Sequence, residues 1–133
     1  MSQKNVRVAR ELFDAIRRQD WSRLIELTDP EVEWQSFFAL GEKEGVYRGH
    51  SGIRRYVDDL KDTWEALDPT VEDELSVGAV VVLVGRIRYR GRGSGAESES
   101  PSGWSLTFRN GKVRRFRAFQ EPERTLGGAG LPE

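Results

Sequence analysis

Residues 79–120 read AVVVLVGRIRY (79–89), RGRGSG (90–95), AESESPSGWSLTFR (96–109), NG (110–111) and KVRRFRAFQ (112–120). Three apolar runs divided by a glycine-rich turn and an Asn-Gly pair predict antiparallel strands over 79–89, 96–109 and 112–120. Asn110-Gly111 supplies the two residues that tolerate positive φ in a type I′ hairpin. Strand side chains alternate, so one inward residue fixes the parity of its neighbours. On the first run Val81, Leu83, Gly85, Ile87 and Tyr89 are uncharged, whereas Arg86, Arg88 and Arg90 lie between them. The odd set therefore faces the interior. On the next run Trp104, Leu106 and Phe108 share the inner face, with Ser98, Ser100 and Ser102 continuing it and Glu97 and Glu99 outside. Phe116, Ala118 and Gln120 face inward on the last run, and Arg115 and Arg117 outward. The outer arginines and glutamates are then placed to form cross-strand pairs of opposite charge.

Upstream the period changes. Val6, Ala9, Leu12, Phe13 and Ile16 recur at helical spacing opposite a charged face, predicting a helix over 3–19. Trp21, Leu24, Ile25 and Leu27 mark a second, short helix ending at Asp29-Pro30. Residues 31–36 read as a strand, and 37–49, with three glycines and no period, as a loop. Ser51 is placed to cap a third helix with the stripe Ile53, Val57, Leu60, Trp64 and Leu67, stopped by Asp68-Pro69. Thr70 to Val77 is a further strand. Helices first and strands afterwards predict an α+β fold: three N-terminal helices on one face of a curved, mostly antiparallel sheet.

At 133 residues the chain is one ordinary domain, 1–133, with 122–133 expected as a loosely ordered, glycine-rich tail. The 13 aromatics argue against disorder despite 32% charged residues. Lys plus Arg is 21 against 22 for Asp plus Glu, so no basic excess points to nucleic acid or to a membrane surface. There is no cysteine and a single histidine, which excludes thiolate catalysis and multi-histidine metal centres. No metal and no cofactor are expected. The first residues lack an apolar signal core and no apolar run is long enough for a membrane span, so the expected location is cytoplasmic.

The predicted order is helix, helix, strand, helix and four antiparallel strands, punctuated by short motifs. These are Asp29-Pro30, Val32-Glu33-Trp34, Tyr47 to Tyr56 (YRGHSGIRRY), Gly91 to Gly95, Arg109 to Val113 (RNGKV) and Gly130-Leu131. In that order they resemble the nuclear transport factor two and ketosteroid isomerase superfamily, and within it the SnoaL-like branch of polyketide cyclase-like proteins. The resemblance implies a cone-shaped half-barrel around an apolar pocket and a homodimer through the outer sheet face. It implies no single chemistry, because the fold hosts isomerases, cyclases, hydrolases and noncatalytic binding domains.

Ketosteroid isomerase works with an aspartate base and an oxyanion hole of tyrosine and protonated aspartic acid. Along this chain the resemblance puts the base at Trp34, the hole's acid at Trp104 and its tyrosine at Leu12 or Phe13. All three groups are missing, so that mechanism is excluded. Cyclase-like relatives place a carboxylate at the end of the last strand, here Glu121, where burial would have to raise its pKa for it to act as a base. Glu33, beside Trp34, and His50, just before the third helix, are the other acid–base candidates, with Gln120 or Tyr56 orienting a substrate oxygen. Against these stand solvated strand ends and a turn histidine. Asp58, Asp59 and Asp62 read as a solvated helix face, and Gly91–Gly95 as a hairpin turn rather than a phosphate cradle.

The pocket walls follow from parity. Leu83, Ile87, Trp104, Leu106, Phe116 and Gln120 come from the strands after Pro69, Trp34 from the early strand, and Tyr56 and Trp64 from the third helix. Such walls suit a small hydrophobic or aromatic molecule, acted on by cyclase- or isomerase-type acid–base chemistry. The alternative is a noncatalytic ligand-sensing or dimerisation module.

Overall fold

The structure, a computed structural model, describes residues 2–35 and 46–119. Helix α1 (Ser2–Arg18) and helix α2 (Trp21–Glu26) lead into strand β1 (Thr28–Gln35), strand β2 (Val46–Arg48) and helix α3 (Gly49–Thr63). Strands β3 (Trp64–Val77), β4 (Val80–Gly91), β5 (Glu97–Arg109) and β6 (Lys112–Phe119) complete one six-stranded sheet in the order β2-β1-β6-β5-β4-β3. The β1–β6 pair is parallel and the other pairings are antiparallel. The helices pack on one side of this curved sheet, the α+β half-barrel expected from the sequence.

The turns are built from the residues the sequence offered. Asn110 (φ 54°) and Gly111 (φ 78°) both take the left-handed conformation that the β5–β6 hairpin needs. Gly93 (φ 90°) and Gly95 (φ 70°) do the same in the turn that joins β4 to β5. Asp20 caps α2, its carboxylate accepting from the Arg23 N–H at 3.2 Å. A different glycine shapes the sheet itself. A Cβ on Gly85 would lie 1.9 Å from the Thr70 carbonyl oxygen, so only glycine lets β3 cross β4 this closely. The β3 register slips beside this point, between Val71 and Asp73. A bulge there bends the strand around the helices.

Four boundaries differ from the sequence reading. The helix expected to run to Leu67 ends at Thr63, and Trp64 and Leu67 belong to β3. Their spacing fits a helical stripe, but pairing of Trp64 with Gly91 and Leu67 with Tyr89 across β4 decides the outcome. Pro69 is tolerated inside β3 because β3 is an edge strand with one side unpaired. Asp29-Pro30 ends no helix; it lies within β1, which begins at Thr28. Ser51 sits inside the first turn of α3 and caps nothing: Arg48 holds the N-cap position without a side-chain bond, and Gly49 (φ 70°) turns the chain from β2 into the helix. The expected loop 37–49 likewise ends in the short strand β2, which is too brief to carry a period. The tail 122–133 lies outside the described residues.

The sheet parity follows the alternation of the sequence. Val81, Leu83 and Ile87 on β4, and Trp104, Leu106 and Phe108 on β5, are buried under the helices. Arg88, Glu97 and Glu99 are exposed on the other face. Leu12 and Phe13 of α1 and Ile53 of α3 close the core from the helix side.

Candidate functional site

Four strands and two helices deliver their aromatic side chains to one place on the concave face. Trp34 of β1 is paired in register with Phe116 of β6, so their rings share a face and stack, with centroids 3.9 Å apart and 8° between planes. Phe13 of α1 meets the edge of Phe116 at 6.3 Å and of Trp104 at 4.9 Å. On the other side Tyr56 of α3 lies 5.4 Å from Trp34 and 5.4 Å from Tyr47 of β2. Trp104, Phe13, Phe116, Trp34, Tyr56 and Tyr47 therefore form one continuous aromatic column, every member buried. Leu83 and Leu106 are fully buried on the same face, Leu83 opposite Trp104 and Leu106 opposite Phe116. Ring contacts of this kind add about 0.5–1.5 kcal/mol each beyond simple burial.

Trp64 is drawn elsewhere. It crosses Tyr89 edge-on at 4.9 Å, near the β4–β5 turn, and lines a narrow crevice with Trp21 and Leu60. Tyr89 also shares a hydrogen bond with Ser100 at 3.2 Å. Ile87, buried on β4, faces the same side beside Ser100. The remaining candidate on this wall, Gln120, lies outside the described residues.

The acid–base candidates do not gather at the column. Glu121 lies outside the described residues. Glu33 points to the opposite face from Trp34 and accepts hydrogen bonds from Arg114 at 3.2 Å and Arg115 at 3.4 Å. Partial burial pushes its carboxyl up, but the two guanidinium groups outweigh that and hold it below the usual range. It is an ion-paired carboxylate at neutral pH, poorly suited to take a proton. The ring of His50 sits 3.1 Å from the Thr28 carbonyl oxygen. A carbonyl only accepts, so Nε2 carries the proton and fastens the start of α3 to the start of β1. A bound oxygen would have to compete with that bond.

One pairing escaped the sequence reading. Tyr47, fully buried, donates its hydroxyl proton to Asp59 Oδ2 at 2.8 Å. The sequence groups Asp59 with Asp58 and Asp62 on a solvated face, but it is half-buried and anchors the end of the column. No period could reveal this, because Tyr47 lies on a three-residue strand. Among the described residues no group of three or more His, Asp or Glu is arranged to hold a metal ion. No described helix is long and apolar enough to cross a membrane.

Known structures share this architecture. TerC, co-crystallised with polyporic acid, superposes with a TM-score of 0.77 at 20% identity, covering 89% of this chain and 92% of TerC. A nuclear transport factor two-like protein of unknown function from Burkholderia pseudomallei K96243 gives 0.78 at 18%, covering 93% of this chain and 95% of its own. A putative SnoaL-like polyketide cyclase from Shewanella putrefaciens CN-32 gives 0.72 at 20%, with 97% and 96% covered. At these identities the likeness is one of fold. No protein of curated function matches the sequence. The profile of the SnoaL-like domain matches residues 9–116, from the core of α1 to the Phe116 that stacks on Trp34. With the motifs, the sheet order and that match in agreement, the chain belongs to the SnoaL-like domain family.

Proposed function

We propose that this protein binds a small hydrophobic or aromatic molecule in the interior of its cone, against Trp34, Tyr56, Leu83, Trp104, Leu106 and Phe116. The observation that carries the reading is the aromatic column itself: six buried rings from six elements converge on the concave face. Flat apolar ligands gain most from such walls. TerC, with polyporic acid, and the putative SnoaL-like polyketide cyclase of Shewanella putrefaciens give the reading analogues on the same fold. Binding comes first in this proposal because Glu33 and His50 are both engaged elsewhere. A cyclase- or isomerase-type proton transfer would fall to Glu121.

N-phenyl-1-naphthylamine, a neutral fluorescent probe, tests this. The expected result is a saturable rise in its emission at one probe per chain, with quenching of tryptophan emission. Leu83→Trp, which fills the interior, abolishes the rise. Absence of saturation, or equal binding by a folded Leu83→Trp variant, overturns the reading.

A second reading, association of two chains through the convex sheet face, rests on a separate observation. Leu75 and Val77 are 47% and 45% exposed on that face, opposite Val82 and Val80 across β3–β4. Farther along the same face lie the pairs of Arg86 and Arg88 with Glu99. An exposed apolar patch suits a homodimer seam.

A further inference from the structure

Trp34 is 0% exposed, and its indole Nε1–H has no hydrogen-bond acceptor among the described residues. An indole nitrogen donates and never accepts, and a buried donor left without an acceptor carries its full desolvation penalty. The ring is not free to turn toward another acceptor. Its face is stacked on Phe116, Tyr56 lies against it, and β1 is held in register between β2 and β6. Buried polar groups are normally satisfied, so one fixed in this way on the concave face marks where a partner's acceptor belongs.

Building on the proposed binding of an aromatic molecule, we infer that Trp34 is its specificity-determining polar contact, donating Nε1–H to an oxygen of a neutral, acceptor-bearing ligand. The charge follows from the other buried groups. The buried polar residues described are Thr28, Asp29, Ser102 and Ser105. The one charged member, Asp29, is occupied by Arg109. No described lysine or arginine is buried, so a carboxylate would enter the interior without a counter-charge. A ketone, quinone or ether oxygen needs none. At the position where the resemblance puts a general base, this chain holds a group that gives a hydrogen bond and takes no proton.

The test displaces N-phenyl-1-naphthylamine with three probes of one size: 2-acetylnaphthalene, 2-isopropylnaphthalene and 2-naphthoate. After correction for partition from water, the wild type should favour the ketone over the hydrocarbon by about five- to thirtyfold, the factor of one hydrogen bond in a buried site. Trp34→Phe keeps an aromatic ring and should erase that preference, whatever it does to the affinity for both probes. The naphthoate should bind more weakly than the ketone. If Trp34→Phe does not fold, 15N-indole spectra of the wild type, which has four tryptophans, carry the test. The ketone should move one indole N–H signal downfield and the hydrocarbon none. Equal binding of ketone and hydrocarbon, or a preference that survives Trp34→Phe, overturns the inference and leaves the pocket standing. Naphthoate binding as tightly as the ketone overturns its neutral-ligand part. Failure of N-phenyl-1-naphthylamine itself to bind removes the pocket and this inference together.

Discussion

The concave and convex faces of the sheet are cut from the same strands, residue by residue, and differ in chemistry, although Val82 and Ser105 are buried on the convex side as well. Glu33 and Trp34 are chain neighbours. One lies between two arginines, and the other is sealed in a stack of rings. The same alternation separates Leu83 and Ile87 from Arg86 and Arg88 on β4, and Trp104 from Glu99 on β5. The inner face gains its stability from burial and ring packing, which tolerate no unpaired charge. The outer face is held by exposed ion pairs that salt screens and that contribute little each. The two faces of one sheet are therefore held by different forces.

The comparison can be broken most forcefully from the inside. Leu83→Asp puts a carboxylate where the side chain is 0% exposed. We expect a loss of more than about 4 kcal/mol, read as the absence of a cooperative thermal transition by circular dichroism. Glu99→Gln removes a charge from the outer face and should barely move the midpoint. Similar effects for the two would erase the distinction between the faces.

A smaller effect is expected where a charge is buried but paired. Asp29, 5% exposed, accepts from Arg109 at 2.8 and 3.1 Å and from the Glu31 N–H at 2.8 Å. The Arg109 guanidinium holds its carboxyl below the ordinary value of 3.8. A carboxyl lowered by folding stabilises the fold above its unfolded pKa, and that contribution is lost as pH falls through the folded value. Asp29→Asn should therefore lower the thermal midpoint at neutral pH. The gap to wild type should close as pH drops through and below 3.8. A gap of constant size would show that the charge of Asp29 is not what stabilises.

The smallest effect on stability should come from the convex patch, where Leu75→Asp with Val77→Asp alters exposed side chains. The melting midpoint should hold. Light scattering at tens of micromolar should report twice the chain mass for wild type and one chain mass for the double variant. A monomeric wild type would remove the dimer from the convex face.

Much of this was legible in the sequence because strands and helices write their exposure with fixed periods. The Arg86-Ile87-Arg88 alternation placed β4, and Trp104, Leu106 and Phe108 placed β5. Asn110-Gly111 joined β5 to β6, because few residue pairs accept two positive φ angles in succession. Parity alone turns Trp104 and Phe116 inward, and both are buried on the concave face. The errors came where two local signals agreed and a distant one outweighed them. Trp64 and Leu67 fit a helical stripe, yet the open edge of β4 captured them into β3. Tyr47 and Asp59 carried no periodic signal at all.

The sequence by itself determined the α+β class, the parity of the strands and the SnoaL-like resemblance. Each depends on residue identity or on short-range spacing. Tertiary structure decided which rings meet in the column, that Glu33 and His50 are tied up, and that the Trp34 indole is buried without an acceptor among the described residues. Those are relations between elements far apart in the chain. They are set by sheet order and register, which arise only when burial, strand pairing and backbone geometry are satisfied together.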